Sequence, residues 1–227
     1  MNFLIQQEAG IGDIFFLQKI AKKLVQRGNK VLWPIKKEIF PLIRDHLAYP
    51  GIEYVDISSS FSTEGYQALE FHTTYKHYPH LPIMVSKYTF YGEEFIDWLD
   101  WFEFTRDTKT ENDLFYDTLG LKDDEEFILV HKTYSTQPNV EVCKHMQNLS
   151  FSNIKVVETI FKEGTNLLSW CKVIEKAKEI HSVDTSLIYI IEKLKTTDKL
   201  HMYSKWSPSS FFAIEGIFKK PWVYHNQ

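Results

Sequence analysis

The sequence predicts an α/β protein built from two successive domains, each with a parallel β-sheet. Short apolar segments of strand length alternate with longer amphipathic segments, and the alternation resumes after an acidic segment at 122–126. Parallel strands need crossover connections, which are right-handed and usually helical, so the alternation indicates parallel sheets. We therefore expect an N-terminal domain at 1–122 and a C-terminal domain at 123–227.

The N-terminal domain opens with a β-α-β-α-β pattern. A short apolar strand is followed by a glycine turn and by a helix with one apolar face, which Gly28 ends. The predicted strands are 2–6, 30–34 and 52–56, and the predicted helices are 12–26 and 37–46. This order places the glycine turn at the carboxyl end of the first strand, where open α/β sheets bind ligands.

The remainder of the N-terminal domain is less regular. We expect a strand at 67–71 inside a segment, 58–91, that otherwise predicts a loop region near a site, because histidine, tyrosine and proline crowd its second half. These residues are His72, Tyr75, His77, Tyr78, Pro79, His80 and Pro82. Helices are expected at 93–104 and 109–119, and Gly120 ends the second one.

The C-terminal half shows the same alternation without a repeat of the sequence. Its expected strands are 127–131, 154–158, 179–183, 199–203 and 222–225, and its expected helices are 140–147, 166–177, 185–194 and 209–218. Such a pattern is typical of a second small domain of the nucleotide-binding type.

Composition excludes several classes of function. The chain has 227 residues with 26 basic and 30 acidic side chains interspersed, so it lacks the basic stripe of a nucleic-acid-binding protein. Cys143 and Cys171 are too few for a disulfide framework and have no zinc-type spacing. No apolar run approaches the ~20 residues of a membrane span. The first residues show neither the basic segment nor the cleavage site of a signal peptide. We expect a soluble cytoplasmic protein without a transmembrane segment and without a nucleic-acid partner.

The turn Gly10-Ile11-Gly12-Asp13 is the first candidate site. Gly10 and Gly12 permit a tight turn with close approach of a ligand to the backbone, and the helix beyond offers free N–H groups. A dinucleotide fingerprint would need a third glycine, but Phe15 stands there, and no P-loop motif occurs. Asp13 has two explanations: a carboxylate in the first helical turn complements the helix dipole by roughly 0.3–1 kcal/mol, or it is a general base.

The segment 181–186, which leads from a strand into a helix, is the second candidate site. Asp184 could simply cap that helix, whereas the hydroxyls of Thr185 and Ser186, with nearby backbone N–H groups, could hold a phosphate. Lys132, which follows the predicted strand 127–131, is the candidate cation beside a diphosphate. Glu158 at the end of another strand is the candidate for selecting the base of the donor nucleotide.

Taken together, the two segments resemble motifs of the heptosyltransferase-like glycosyltransferases. The resemblance rests on Gly10-Ile11-Gly12-Asp13 and on Ser182-Val183-Asp184-Thr185-Ser186. The resemblance implies the GT-B fold, in which two Rossmann-like domains face a cleft. It also implies that Asp13 is the catalytic base and that Thr185 and Ser186 contact the donor. In the family a glycine stands at the position of Ser186 and a histidine at that of Tyr189.

A weaker similarity to uncharacterised relatives of these transferases covers Ser86-Lys87-Tyr88, Trp98 and Arg106-Asp107. It makes Lys87 and Arg106 candidates for binding the acceptor. Arg106 could equally form a structural ion pair with Asp107 or Glu111.

Metal binding is not expected. No Asp-x-Asp motif, which metal-dependent transferases use to hold a divalent ion, occurs in the chain. His72, His77 and His80 lie in an irregular segment without the spacing of metal ligands. We therefore expect no metal and no cofactor besides a nucleotide-sugar substrate.

These observations predict an inverting, metal-independent transferase that moves a sugar from a nucleotide-sugar donor to a hydroxyl of a carbohydrate or glycan acceptor. The changes at Ser186 and Tyr189 favour an alternative, a non-catalytic nucleotide- or sugar-binding protein derived from such an enzyme. A third possibility is a different α/β transferase or phosphate-handling enzyme, because a fold alone does not determine function.

Overall fold

The computed structural model describes residues 1–136, 139–205 and 209–225, and in it the chain divides into two compact units. The first unit comprises Met1–Thr105 and Ala213–Ile217, and the second comprises Arg106–Phe212 and Phe218–Gln227. Segment 106–122, which the sequence analysis assigned to the N-terminal domain, therefore belongs to the second unit. There Arg106 forms ion pairs with Glu111 and Glu175.

The first unit contains a four-stranded parallel sheet in the order β3-β2-β1-β4. The strands are β1 (Asn2–Gln6), β2 (Lys30–Ile35), β3 (Ile52–Asp56) and β4 (Tyr66–Glu70), and the first two crossovers are helices α1 (Ile11–Gln26) and α2 (Phe40–His46). Each of these elements was predicted within three residues of its ends. Because the strands are parallel, their carboxyl ends lie at one edge of the sheet.

Helix α1 packs one long apolar side into the core of the first unit. Ile14, Phe15, Leu17 and Ile20 are fully buried. The helix ends where Gly28 adopts the left-handed conformation (φ 79°), as the glycine in the sequence predicts. Among the described residues no helix is long and apolar enough to cross a membrane.

Two predictions for the rest of the first unit are wrong. The second part of segment 58–91, which was expected to be a loop, forms helices α3 (Thr74–His77) and α4 (Ile83–Tyr91). Pro82 occupies the N-cap position of α4 and so begins that helix instead of breaking it. The helix expected at 93–104 is only a short turn, α5 (Trp98–Trp101), after which the chain becomes extended at Phe102. Burial of Trp98 and Phe102 against α1 overrides the local helix pattern.

The second unit contains a five-stranded parallel sheet in the order β11-β10-β9-β5-β8. Its strands are β5 (Phe127–His131), β8 (Lys155–Glu158), β9 (Glu179–Val183), β10 (Leu200–Tyr203) and β11 (Trp222–His225). Its α-helices are α6 (Thr108–Asn112), α7 (Cys171–Lys176), α8 (Leu187–Lys193) and α9 (Ser209–Phe212). Helix α6 continues as a π-helix (Asp113–Thr118), and α7 follows a 3-10 turn (Leu167–Trp170). All five strands were predicted from the sequence.

The helix expected at 140–147 is absent from the second unit, where an antiparallel hairpin takes its place. Strands β6 (Thr133–Thr136) and β7 (Asn139–Val142) pair with each other, and a 3-10 turn (Lys144–Met146) follows. The β-branched residues Val140 and Val142 alternate with Glu141, which favours a strand over a helix. The expected helix at 209–218 is likewise reduced to α9, which ends at Phe212.

Candidate functional site

The first candidate site lies at the carboxyl end of β1. Asp13 stands in the first turn of α1, and its Oδ1 atom lies 3.0 Å from Nζ of Lys87, a residue of α4. The lysine side chain is 3% exposed and the carboxylate is 28% exposed. A buried ammonium therefore holds one carboxylate oxygen from the protein side, while the carboxyl group still reaches solvent.

Lys87 is fixed in this place by further hydrogen bonds. Its Nζ donates to Gln7 Oε1 (2.6 Å) and to the backbone carbonyl of Phe71 (3.1 Å). Gln7 in turn donates to the carbonyl of Ala9 (2.7 Å), so the chain between β1 and α1 is tied to the same ammonium. Gln7 is not predicted from the sequence, where its place directly after a strand is the only signal of a role.

The glycine turn is shaped to accept the Asp13 carboxylate. Gly10 is the N-cap residue of α1 and has φ 79°, a conformation that side chains rarely adopt. A Cβ atom added to Gly10 would lie only 2.3 Å from Asp13 Oδ2. Gly12 lies within the first turn of the helix. Glycine at position 10 is therefore required both by the backbone and by the side chain three residues later.

A surface groove of about 440 Å³ runs along the middle of α1, away from Asp13. It is lined by Lys19, Lys23, Gly92, Glu93, Glu94, Ile96 and Asp97. Both of its lysines are already paired, Lys19 with Asp97 and Lys23 with Glu93. We therefore assign no ligand to this groove.

The second candidate site surrounds Thr185, in the turn between β9 and α8. Its hydroxyl lies 2.9 Å from Nε2 of His131, the last residue of β5. Nδ1 of the same ring lies 2.6 Å from the hydroxyl of Thr159, which follows β8. One imidazole thus connects the carboxyl ends of three adjacent strands and fixes the Thr185 hydroxyl.

The imidazole of His131 is uncharged at neutral pH. The side chain is buried, and loss of hydration lowers the pKa of His131 from 6.5 to about 4. A neutral imidazole has one N–H donor and one acceptor nitrogen. If Nε2–H donates to Thr185, the threonine O–H is free to donate to a ligand. In the sequence His131 is only the last residue of a predicted strand, and nothing there indicates this role.

Lys132 and Glu158 form an ion pair at the end of the same sheet, with Nζ 2.6 Å from Oε1. Their side chains are 30% and 48% exposed. The structure therefore brings together two of the residues proposed for the donor site, Lys132 directly after β5 and Glu158 at the end of the neighbouring strand β8, and both remain accessible.

Asp184 does not cap helix α8, the role that the sequence suggested for it. The N-cap position is occupied by Ser186, without a side-chain cap hydrogen bond, and Asp184 Oδ1 accepts a hydrogen bond from the backbone N–H of Lys205 (2.8 Å). Asp184 is buried and ties the turn after β9 to the turn after β10. Tyr189, at the position of the family's histidine, is buried against Phe218.

Arg106 forms the structural ion pair that the sequence left open as an alternative to acceptor binding. Its guanidinium donates to both carboxylate oxygens of Glu111 and also pairs with Glu175 (2.9 Å). Glu111 is 2% exposed, and its hydrogen bonds are the main cause that raises the pKa of Arg106. We therefore leave Arg106 out of the acceptor site.

His72, His77 and His80 do not form a metal site among the described residues. Among the described residues, the side chains that are spaced like metal ligands are those of Glu179, His181 and His201, in the second unit. His72 Nδ1 lies 3.3 Å from the carbonyl of Gln6 at the end of β1.

Known structures share this fold along the whole chain. A family 9 glycosyl transferase from Veillonella parvula matches 100% of this chain and 86% of its own length, with 9% identity and a TM-score of 0.55. The ADP-heptose LPS heptosyltransferase II of E. coli matches over 99% and 90%, with 11% identity and a TM-score of 0.51. No protein-family model and no curated protein matches the sequence. The similarity confirms the predicted fold, which is that of the GT-B glycosyltransferases.

Proposed function

We propose that the protein is a glycosyltransferase that moves a sugar from a nucleotide-sugar donor to a hydroxyl group of a carbohydrate or glycan acceptor. The ion pair between Asp13 and the buried Lys87 is the observation that carries the proposal, because it presents a carboxylate at the carboxyl end of β1. The shared fold with a family 9 glycosyl transferase supports it. The E. coli neighbour is named as an enzyme of ADP-heptose, which makes a nucleotide-sugar the substrate class to test first.

In the proposed reaction Asp13 acts as the general base. The acceptor oxygen attacks the anomeric carbon while the bond from that carbon to the diphosphate oxygen breaks, and the acceptor proton moves to the Asp13 carboxylate. A single displacement of this kind inverts the anomeric configuration. Lys87 binds Oδ1 and so orients the carboxylate toward the acceptor.

The donor is proposed to bind the second unit, and the acceptor the first. The Thr185 hydroxyl, held by His131, and the Ser186 hydroxyl would donate hydrogen bonds to the diphosphate. Lys132 would offset the charge of the leaving group, and Glu158 would contact the nucleoside. Asp184 holds the turn in shape through Lys205. Gly10 and Gly12 would let the donor approach the backbone of the glycine turn. With these groups in place, the reaction is proposed to need no metal.

An Asp13→Asn variant tests the assignment of the base. We expect it to bind nucleoside diphosphate like the wild type and to lose transfer by at least about 10²-fold, the lower range of general-base contributions. Asp45→Asn, which changes an exposed carboxylate next to Arg44, is the control and should keep full activity. Transfer at the wild-type rate in Asp13→Asn would contradict the role of Asp13.

The replacement of the family's glycine and histidine by Ser186 and Tyr189 favours a second candidate, a non-catalytic nucleotide- or sugar-binding protein. A thermal-shift screen with UDP-, GDP-, ADP- and CMP-sugars identifies the ligand, since a ligand of the folded state raises stability with its concentration. The stabilising donor is then incubated with the protein alone. Slow hydrolysis of the donor by the wild type, lost in the Asp13→Asn variant, supports the transferase. Stabilisation of the protein by the donor without any hydrolysis supports the binding protein.

A further inference from the structure

Three side chains on adjacent strands of the second unit are grouped like the ligands of a metal ion. Glu179 and His181 lie two residues apart on β9 and therefore share one face of the sheet. His201 on β10 pairs in register with His181, and their rings stack with centroids 4.4 Å apart and planes 3° from parallel. Strand geometry thus directs two imidazoles and a carboxylate to one place.

The distances suit a small divalent cation. Glu179 Oε1 lies 2.7 Å from His181 Nε2 and 3.5 Å from His201 Nε2, and one ligand atom from each of the three residues lies within 4.8 Å of the others. A tetrahedral zinc ion with bonds of about 2.0–2.1 Å needs ligand atoms about 3.3 Å apart. Because the two imidazole planes are only 3° from parallel, at least one ring must turn before both Nε2 atoms can reach the same ion.

The other nitrogen of each ring already has the outer partner that metal-bound histidines require. His181 Nδ1 lies 2.9 Å from the hydroxyl of Tyr203, and His201 Nδ1 lies 3.0 Å from Nε2 of His225. Tyr203 and His225 stack on each other with centroids 4.3 Å apart. Metal binding requires the proton to be on Nδ1 in both rings, so that His181 Nε2 gives up the hydrogen bond that it donates to Glu179 and both Nε2 atoms present lone pairs to the ion.

The group is also accessible and suitably charged. The side chain of His181 is 6% exposed, whereas those of Glu179 and His201 are 24% and 23% exposed, so an ion can enter from solvent. A carboxylate among the ligands offsets part of the charge of a divalent cation. Phe151 packs against the His181 ring and limits water on that side.

We propose that Glu179 Oε1, His181 Nε2 and His201 Nε2 bind one divalent transition-metal ion, with Zn²⁺ the best match, and leave one coordination position to water. Two imidazoles with a carboxylate are a known zinc ligand set. The ion would join β9 to β10 and stabilise the second unit. This inference does not depend on glycosyl transfer, in which no metal is proposed to take part.

A metal titration of the full chain, first stripped with a chelator, tests the site. We expect Co²⁺ to bind with a stoichiometry of one ion per chain and to give the visible absorption of a low-coordinate site, and Zn²⁺ to displace it. The melting temperature should rise with Zn²⁺ concentration. Glu179→Gln, which keeps size and hydrogen bonding, and His201→Ala should each weaken Zn²⁺ binding at least tenfold.

The matched control is His77→Ala, which removes an imidazole from the histidine-rich segment of the first unit and should leave the titration unchanged. Far-ultraviolet circular dichroism without metal shows whether each variant is folded. Unchanged Zn²⁺ affinity in folded Glu179→Gln and His201→Ala would overturn the proposal, and so would the absence of saturable binding to the wild type. Loss of Zn²⁺ binding in His77→Ala alone would move the site to the first unit and also overturn it.

Discussion

Nζ of Lys87 lies 3.0 Å from Oδ1 of Asp13, and the lysine is nearly completely buried. This contact changes the roles that we assign to both residues. The sequence offered Asp13 as a helix-dipole acid or a base, and Lys87 as an acceptor contact. In the structure the lysine lies behind the aspartate and fixes its direction, so we assign Lys87 a positioning role rather than direct contact with the acceptor.

Replacing Lys87 by methionine should therefore damage both folding and transfer. The change leaves Gln7 Oε1 without its donor and takes one donor from the Phe71 carbonyl, which keeps its hydrogen bond from the Thr74 hydroxyl. A buried unsatisfied acceptor costs about 1–3 kcal/mol. We expect a loss of about 3 kcal/mol in the free energy of unfolding, measured by urea denaturation, and a large fall in kcat. Lys109→Met is the control, because its exposed pair with Asp113 contributes about 0–1 kcal/mol. Equal effects of both substitutions would contradict the positioning role.

Gly10 and Gly28 offer a matched pair of alanine substitutions, since both have φ 79°. Alanine in this left-handed conformation costs roughly 1–2 kcal/mol at either position. Only at Gly10 would the new Cβ approach the Asp13 carboxylate, whereas nothing lies within 4 Å at Gly28. We expect similar losses of stability, with transfer reduced at least tenfold only in Gly10→Ala. A steady-state assay compares the two, and comparable kcat values would argue against a need for the observed Asp13 orientation.

Much of the fold could be predicted because each strand of the two parallel sheets is a local apolar segment bounded by turns. Some of the errors came from tertiary packing. Tyr134 of β6 packs with Cys143 and Val183 in one apolar cluster, and a local pattern does not reveal such a distant partner. Pro82, taken as a sign of a loop, begins a helix.

The candidate sites could be predicted in part. Asp13 and Thr185 follow strands and stand in recognisable turns, so the sequence identified them. His131 and Lys87 act through partners 54 and 74 residues away in the chain, and only the folded arrangement shows those pairs. The spacing of Glu179 and His181 on a predicted strand was a local signal, but the contribution of His201 depends on the register between β9 and β10.

His131 should make stability depend on pH. Its pKa is lowered from 6.5 to about 4 in the folded protein, so the unfolded chain binds the proton more tightly. Stability is therefore greatest above pH 6.5 and is lost as the pH falls from about 6.5 to 4, by about 3 kcal/mol for this residue. Denaturation curves at pH 7, 6, 5 and 4 measure it.

His131→Gln removes this titration and should flatten the pH dependence relative to the wild type by that amount. His145→Gln, which changes an exposed histidine, should keep the wild-type slope. If the slope of His131→Gln equals that of the wild type, His131 is not held neutral by burial.

Arg106→Met should reduce stability and leave acceptor kinetics unchanged. The substitution leaves buried Glu111 without its cation, and breaking a buried pair from one side costs about 3–5 kcal/mol. The double variant Arg106→Met with Glu111→Gln should recover part of the loss, because no uncompensated charge remains. Urea denaturation and the KM for the acceptor are the two measurements. A raised KM without loss of stability would restore the acceptor-binding role.

The hydroxyl of Thr185 should distinguish phosphate recognition from nucleoside recognition. His131 holds this hydroxyl at 2.9 Å, and a hydrogen bond to a charged group contributes about 1.5–3 kcal/mol. Thr185→Val should therefore weaken binding of the nucleoside diphosphate by roughly 10–100-fold, as measured by calorimetry, and leave binding of the unphosphorylated nucleoside unchanged. Thr185→Ser keeps a hydroxyl and should bind within a few-fold of the wild type. Thr159→Val, which removes the other partner of His131, should have a smaller effect, because it loosens the imidazole without removing the phosphate contact. Equal affinity of Thr185→Val and wild type for the diphosphate would place the diphosphate elsewhere in the second unit.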